Sequence, residues 1–273
     1  MQRRNFLAGS TAAVGWLAAS RLAKVASITH ANGENPMRFT IRRTDDRGHA
    51  EHGWLDSRHT FSFADYYDPE HMGFRALRVI NQDRVRTGEG FPTHPHRDME
   101  IFSYVLDGAL QHKDSMGNGR TLKPGEIQLM SAGTGITHSE FNPSRSDGLH
   151  FLQIWILPDR RGLPPSYTEW KPSPAQAAQA DVVVISPDGR DSSARIHQDV
   201  IVRRLQLPSG RLTPHTIAPG RGVWLQAIAG ELQVGEHRLQ PGDGLRSDDA
   251  GTFSIIANAN AEALLFDLGP FPD

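Results

Sequence analysis

The chain contains no cysteine, which removes disulfides, thiolate metal sites and a cysteine nucleophile together. That absence leaves the redox compartment open. The one extended weakly apolar stretch, ending near Ser20, falls short of the ~20 strongly apolar residues a membrane-spanning helix needs. Charge of either sign is nearly balanced, with 29 basic and 31 acidic residues and a net charge of −2. No basic stripe is interleaved with aromatics, so composition gives no case for nucleic-acid binding. What is plentiful is glycine (26) and proline (18), which suits many short strands joined by turns rather than long helices. At 273 residues the chain accommodates one large β domain or two of ordinary size.

The N-terminus has its own character. Arg3 and Arg4 are followed by Asn5, Phe6 and Leu7, then by an Ala- and Gly-rich run to Ser20, then by Arg21 and Lys24. This resembles a twin-arginine export signal of the RRxFL type and is set aside from fold reasoning. The resemblance implies export of an already folded protein to the periplasm, with cleavage between Ser20 and Asn32 and no stable membrane insertion afterwards. A disordered basic tail on a cytoplasmic protein is the plainer alternative. Without residues 1–31 the basic count falls by four, to 25 against 31 acids, a net charge of −6.

From Met37 the pattern turns to short apolar alternations. Arg38 to Arg43 reads as a strand, and Arg47 to Gly73 as an irregular segment rich in histidine and aromatics. Phe74 to Val85 is a strand, as is Glu100 to Gly108, which ends in an Asp-Gly turn. A hairpin has its tip at Met116 to Gly119, and two short strands precede the apolar run Leu149 to Pro158. Met130, Phe102, Tyr104, Trp155 and Ile154 fit a barrel lining. The proline-rich stretch Arg160 to Pro174 reads as a linker, and Ala175 to Ala180 as one helical turn. Strands near Val182, Ala194, Val223, Glu231, Phe253 and Ala263 follow, with turns echoing those of the first half. The expected organisation is a lead-in over residues 1–36, a metal-binding barrel over 37–158, a linker over 159–175 and a second barrel over 176–273.

The chemistry concentrates between Gly88 and Asn142. His94 and His96 stand two apart, and so do His138 and Glu140. On a strand, residues i and i+2 share a face, so two neighbouring strands can aim four ligand-type side chains at one point. Imidazole nitrogens with a carboxylate oxygen suit a divalent first-row metal. An HxH on an exposed strand is commonly polar decoration, but the second pair and the flanking glycines argue against that here. Glu100 is the rival carboxylate, having the same numerical parity as His94 and His96. His112 and Asp114 flank the hairpin tip and are expected to stabilise the turn. His49, His52, His59, His71 and His150 lack paired spacing and are expected to be structural or at the surface, with the cavity border as the alternative for His59. The second half lacks both pairs and is expected to hold no metal.

Two motifs carry a family resemblance. Residues 88–108 follow the spacing Gly, five residues, HxH, three residues, Glu, seven residues, Gly, and Gly125 with Gly135-x-x-His138-x-x-x-Asn142 supplies the partner motif. Both resemble the cupin motifs. The stretches His59 to Pro69, Thr93 to Gly108, Gln111 to Gly119 and Gln128 to Glu140 more narrowly resemble the pirin family of bicupins, those of bacteria that act on quercetin. The resemblance implies an all-β fold of two cupin (jelly-roll) barrels in one chain. It implies three histidines plus Glu140 as metal ligands, with Glu100 orienting a ligand or anchoring a strand. It also implies one divalent ion, iron(II) foremost among Fe, Mn, Ni, Co, Cu and Zn, and a flavonol or phenolic substrate with O2. The implied reaction is ring opening with release of CO, Glu140 taking the 3-hydroxyl proton. The alternative is a non-catalytic, redox-sensitive metal protein that docks to a partner. A cupin enzyme of other chemistry is a further rival. Oligomeric state is left open.

Overall fold

The computed structural model describes residues 37–271, so the expected export signal lies outside the described residues. The first half contributes β1 (Thr40–Arg42), β2 (Gly48–Glu51), β3 (Leu55–His59), β4 (Leu77–Val85), β5 (Gly90–His96) and β6 (Glu100–Asp107). It continues with β7 (Leu110–Asp114), β8 (Gly119–Leu122), β9 (Ile127–Ser131), β10 (Ile136–Phe141), β11 (Leu149–Ile156) and β12 (Ser166–Trp170). A four-residue helix, α1 (Pro174–Ala177), is capped by Ser173 and leads to the second half. That half holds β13 (Asp181–Ser186), β14 (Ala194–Arg195), β15 (Val200–Leu207), β16 (Leu212–Ile217) and β17 (Gly222–Ala229). It ends with β18 (Leu232–Val234), β19 (His237–Leu239), β20 (Gly244–Ser247), β21 (Gly251–Ala257) and β22 (Ala261–Leu268).

The strands form two barrels of like topology. In the first, the sheet β12-β9-β6-β11-β4-β3-β2 faces the sheet β5-β10-β7-β8. In the second, β1-β20-β17-β22-β15-β13-β14 faces β16-β21-β18-β19. Two edge strands depart from the chain order. β1 precedes the first barrel but pairs with β20 of the second. β12, within the expected linker, pairs with β9 of the first. The proline-rich segment therefore contains a sheet strand, because Tyr167 and Glu169 share one face, Trp170 is buried on the other, and the run finds an open edge. The expected irregular segment likewise contains β2 and β3.

Strand β11 explains how the barrels join. Its burial is almost continuous because both of its faces are covered. Gln153 and Phe151 point into the first barrel, while Leu152 and Ile154 join Phe102, Tyr104 and Leu129 on the outer face. There they pack on Val200, Val202, Trp224, Leu264 and Phe266 of the second half. Phe102, Tyr104 and Ile154 are thus seam residues rather than lining, since their strand parity is opposite to that of Trp155.

The two interiors differ in kind. Leu205, Val223, Leu225, Leu245, Ile255 and Leu265 belong to one apolar cluster that fills the second barrel. The first barrel has two smaller clusters, one around Leu110, Leu122 and Phe151 and one around Ile101, Met130 and Ile136. Its interior also carries buried polar side chains, including Ser103, Gln128, Glu140 and Gln153. Buried polar groups in that number require mutual hydrogen bonds.

Candidate metal centre

Strands β5 and β10 pair antiparallel with His94 opposite His138, and a bulge follows between His138 and Glu140. Gly90 belongs to this arrangement. A side chain there would collide with the Glu140 carbonyl, so its lack of a Cβ lets β5 run against the bulged strand.

The three imidazoles converge. Ring centroids are 4.8 Å apart for His94 and His96, 4.5 Å for His94 and His138, and 4.9 Å for His96 and His138. Interplanar angles of 83°, 56° and 69° set the rings edge-on about a shared point. The Nε2 atoms of His94 and His138 are 3.0 Å apart. That is the separation of neighbouring ligands at a metal–nitrogen distance of about 2.1 Å. His94 Nδ1 donates to the Pro92 carbonyl at 2.7 Å, so its proton is on Nδ1 and the Nε2 lone pair faces the cluster. His96 Nε2 is buried and has no protein partner. Burial lowers His96 to a pKa of about 4, helped by the neighbouring His138 and His94. Burial also lowers His138 to about 3, with His94 and His112 adding to the effect. Converging imidazoles, with His96 Nε2 buried and unpartnered and His94 Nε2 turned to the cluster, are what a divalent cation takes, so the residues present fit a metal.

Glu140 is fully buried beside the trio. Its Oε1 accepts from Ser103 Oγ at 2.7 Å and Gln128 Nε2 at 3.1 Å, and its Oε2 accepts from Gln153 Nε2 at 2.9 Å. Three donors fix the carboxylate and leave lone-pair capacity on Oε2. The ligand atoms of His94, His96 and His138 lie within 4.8 Å of one another, and Glu140 falls in an overlapping group with His138 and His112.

Glu100 points elsewhere. The turn Arg97 to Met99, with Asp98 at φ 49°, separates β5 from β6 and undoes the numerical parity. Glu100 lies on the seam side of β6, where it accepts from Ser131 Oγ at 2.6 Å and approaches His197 of the second half at 3.4 Å. It anchors strands and touches no candidate ligand. Burial raises its pKa.

His112 was missed from sequence. Register places it opposite Glu140, it is fully buried, and its ring stacks on Tyr167 at 5.1 Å. Its hairpin position hid that; only the burial pattern of β7 could have found it. Asp114 does hold the turn, accepting from the Met116 and Asn118 amides.

The second barrel shows what the site replaces. In the second barrel His215 of β16 pairs with Phe253, where His94 of β5 pairs with His138. Thr-Phe-Ser-Ile-Ile at 252–256 stands in β21 where Thr-His-Ser-Glu-Phe stands in β10. Ser103 pairs with Gln128 and Gln153 across its sheet, and in the second barrel Leu225 pairs with Leu245 and Leu265. The three donors around Glu140 have become three leucines.

Comparison with known proteins identifies the family and the fold. The family model described as Pirin matches residues 40–156, and the model described as Quercetinase C-terminal cupin domain matches residues 183–268. A protein named quercetin 2,3-dioxygenase from Escherichia coli strain K12 is 50% identical over 230 residues, covering 84% of this chain and 98% of its own length. The crystal structure of YhhW from Escherichia coli superposes with a TM-score of 0.83 at 48% identity, over 86% of this chain and 100% of that one. A structure of bacterial pirin YhhW in complex with nickel(II), also from Escherichia coli, gives a TM-score of 0.82 at 48% identity, over 85% and 100% of the chains.

Proposed function

This chain belongs to the pirin family, and on that premise we propose that it is a metal-dependent quercetin 2,3-dioxygenase opening a flavonol ring with O2. One observation carries the reading: three imidazoles converge edge-on about one point, with His96 Nε2 buried and without a protein partner. In this reading His94, His96, His138 and Glu140 hold a single divalent ion. Iron(II) is the first choice for such a donor set, and nickel(II) is the second because a relative was crystallised with it. When bound, the ion supplies Lewis acidity toward the flavonol 3-hydroxyl oxygen and O2.

The remaining tasks fall to side chains. Pro92 fixes the His94 tautomer through its carbonyl, and burial keeps His96 and His138 unprotonated. Glu140 takes the 3-hydroxyl proton. Ser103, Gln128 and Gln153 hold its carboxylate in the barrel and leave Oε2 room to accept. Trp155, edge-on to His96 at 4.8 Å, walls the imidazoles off from bulk water on that side.

Aerobic incubation with quercetin, following loss of flavonol absorbance and release of CO, tests the activity. Elemental analysis of protein purified without added metal identifies the ion. Glu140→Gln with metal content held equal is expected to abolish turnover, and undiminished turnover removes the proton role. Bound metal without flavonol consumption would favour the non-catalytic, partner-docking alternative. Residues 1–36 are proposed to direct twin-arginine export, on the strength of Arg3-Arg4 and the run that follows. A fusion of that segment to a reporter that stays in the cytoplasm defeats this part.

A further inference from the structure

A cleft of about 680 Å3 opens where the two barrels meet, and it shares no residue with the candidate metal centre. Phe74, Arg75 and Arg78 of the first half line it together with Gly220, Arg246 and Asp248 of the second. That volume is ordinary for a small-molecule site.

Its three arginines are unequally employed. Arg75 is committed to the protein: Nε donates to Asp248 Oδ1 at 2.8 Å, and Nη1 donates to the carbonyls of Gly220 and Gly269 at 2.7 and 2.9 Å. Seating it takes two backbone concessions. Arg75 adopts φ 53°, in the left-handed region that a non-glycine residue enters at a cost. Gly222 has no side chain, and a Cβ there would collide with the Arg75 guanidinium and the Asp248 carboxylate. Arg78, by contrast, gives only Nη1 to the Ser62 carbonyl, at 2.8 Å, and has no carboxylate partner among the described residues. Arg246 has neither a hydrogen bond nor an ion pair among the described residues, and its guanidinium lies over the Phe74 ring at 5.4 Å.

Arg246 also breaks the pattern of the seam. Register sets it opposite Trp224, as Leu129 is set opposite Phe102 in the first barrel. Leu129 belongs to the apolar cluster between the barrels, with Phe102 and Trp224. A half-buried charge at a leucine position costs stability unless something pairs with it. Phe74 answers it in part through its ring face, which Trp224 backs at 6.1 Å. Asp248, the one carboxylate among the lining residues, is already held by Arg75.

The cleft therefore lacks an anion, and its floor specifies the body that carries it. Phe74 and Leu77 are buried, and Leu157 and Phe271 complete an apolar surface between the arginines. Guanidinium groups present paired N–H donors that match a carboxylate, and ring faces suit a flat guest. We propose that this cleft binds a small aromatic carboxylate, its charge held by Arg78 and Arg246 and its ring laid on the apolar floor. Inorganic phosphate would serve the arginines and leave that floor bare, while a neutral ring would do the reverse. Both barrels contribute to the site, so an occupant bridges them.

Benzoate is the probe. Calorimetric titration into the full-length, zinc-loaded protein is expected to show saturable binding, with benzamide, its neutral counterpart, weaker by about ten-fold or more. Arg246→Leu, which installs the seam residue of the first barrel, is expected to weaken benzoate binding by about ten-fold or more. Unchanged affinity in an Arg246→Leu protein of unchanged melting temperature overturns the proposal. So does absence of saturable binding to the wild type, equal affinity for benzamide, or tighter binding of inorganic phosphate. Where Arg246→Leu fails to fold, Arg78→Gln carries the same test. Benzoate can also ligate zinc, so amide NMR shifts locate it. They should gather at Phe74, Arg78 and Arg246, and shifts confined to His94, His96 and His138 overturn the assignment. The titration needs no turnover, so its failure leaves the flavonol reading standing, and inactivity toward quercetin leaves this site standing.

Discussion

Gln153 donates to Glu140 Oε2 at 2.9 Å, and Leu265 holds the matching place in the second barrel, opposite Leu225 as Gln153 is opposite Ser103. The exchange of an amide for an isobutyl group separates a barrel able to bury a carboxylate from one that fills itself with hydrocarbon. Gln153→Leu should therefore leave the fold intact and loosen Glu140. Partners of this kind are worth about 10–100-fold in metal affinity. Competition against a chelator measures that loss, and an unaltered dissociation constant would detach Gln153 from the centre.

Metal removal has a thermal signature. A ligand present at about 100 times its dissociation constant stabilises by ~2.7 kcal/mol. For a chain of this size that raises the melting temperature by roughly 5–10 °C. Chelated wild type should lose that increment, and His138→Ala should show no metal-dependent increment at all. Calorimetric scans with and without metal check both.

The two carboxylates of the motif region should separate cleanly. Glu100→Gln is expected to keep one metal per chain and cost about 1–3 kcal/mol, since Ser131 and the His197 amide lose a charged acceptor at the seam. Glu140→Gln is expected to lower metal affinity. Metal stoichiometry beside denaturant midpoints distinguishes them, and metal loss in Glu100→Gln would reverse the assignment.

Asp83 makes a pH prediction. Burial, the largest cause, lifts its carboxyl to about 7 from an ordinary 3.8. Between those values the native state binds the proton that the unfolded state has released, so stability falls as pH rises. Relative to Asp83→Asn, which carries no titrating group, wild type should lose on the order of 4 kcal/mol between pH ~4 and ~7. Urea midpoints of both proteins across that range test it. A constant difference means that Asp83 is ionised in the native state throughout.

Much of this was legible in the chain. The i, i+2 spacing of His94 with His96 gave a shared face, and the absence of such pairs after residue 176 marked the second barrel as unlike the first. Local spacing could not report parity across a turn. Glu100 and His96 look matched by number, but Arg97 to Met99 reverses the strand and sends Glu100 to the seam. His112 looked like turn furniture because its partners, Glu140 and Tyr167, are brought to it by β10 and β12. Phe102 and Tyr104 looked like lining because apolar character does not say which of two covered faces a residue takes. The edge pairing of β1 and β12 depends on contacts separated by much of the chain, which no local pattern encodes.

That edge pairing reaches into biosynthesis. During translation β1 emerges first, yet its neighbour β20 is made some two hundred residues later. A nascent first half thus keeps a loose ribbon in waiting, and an unpaired sheet border invites association with other chains. Cutting the gene at residue 159 would not yield two self-sufficient modules. One product would carry its sibling's selvedge and the other would take away the first one's, so the halves are expected to be soluble only when produced together.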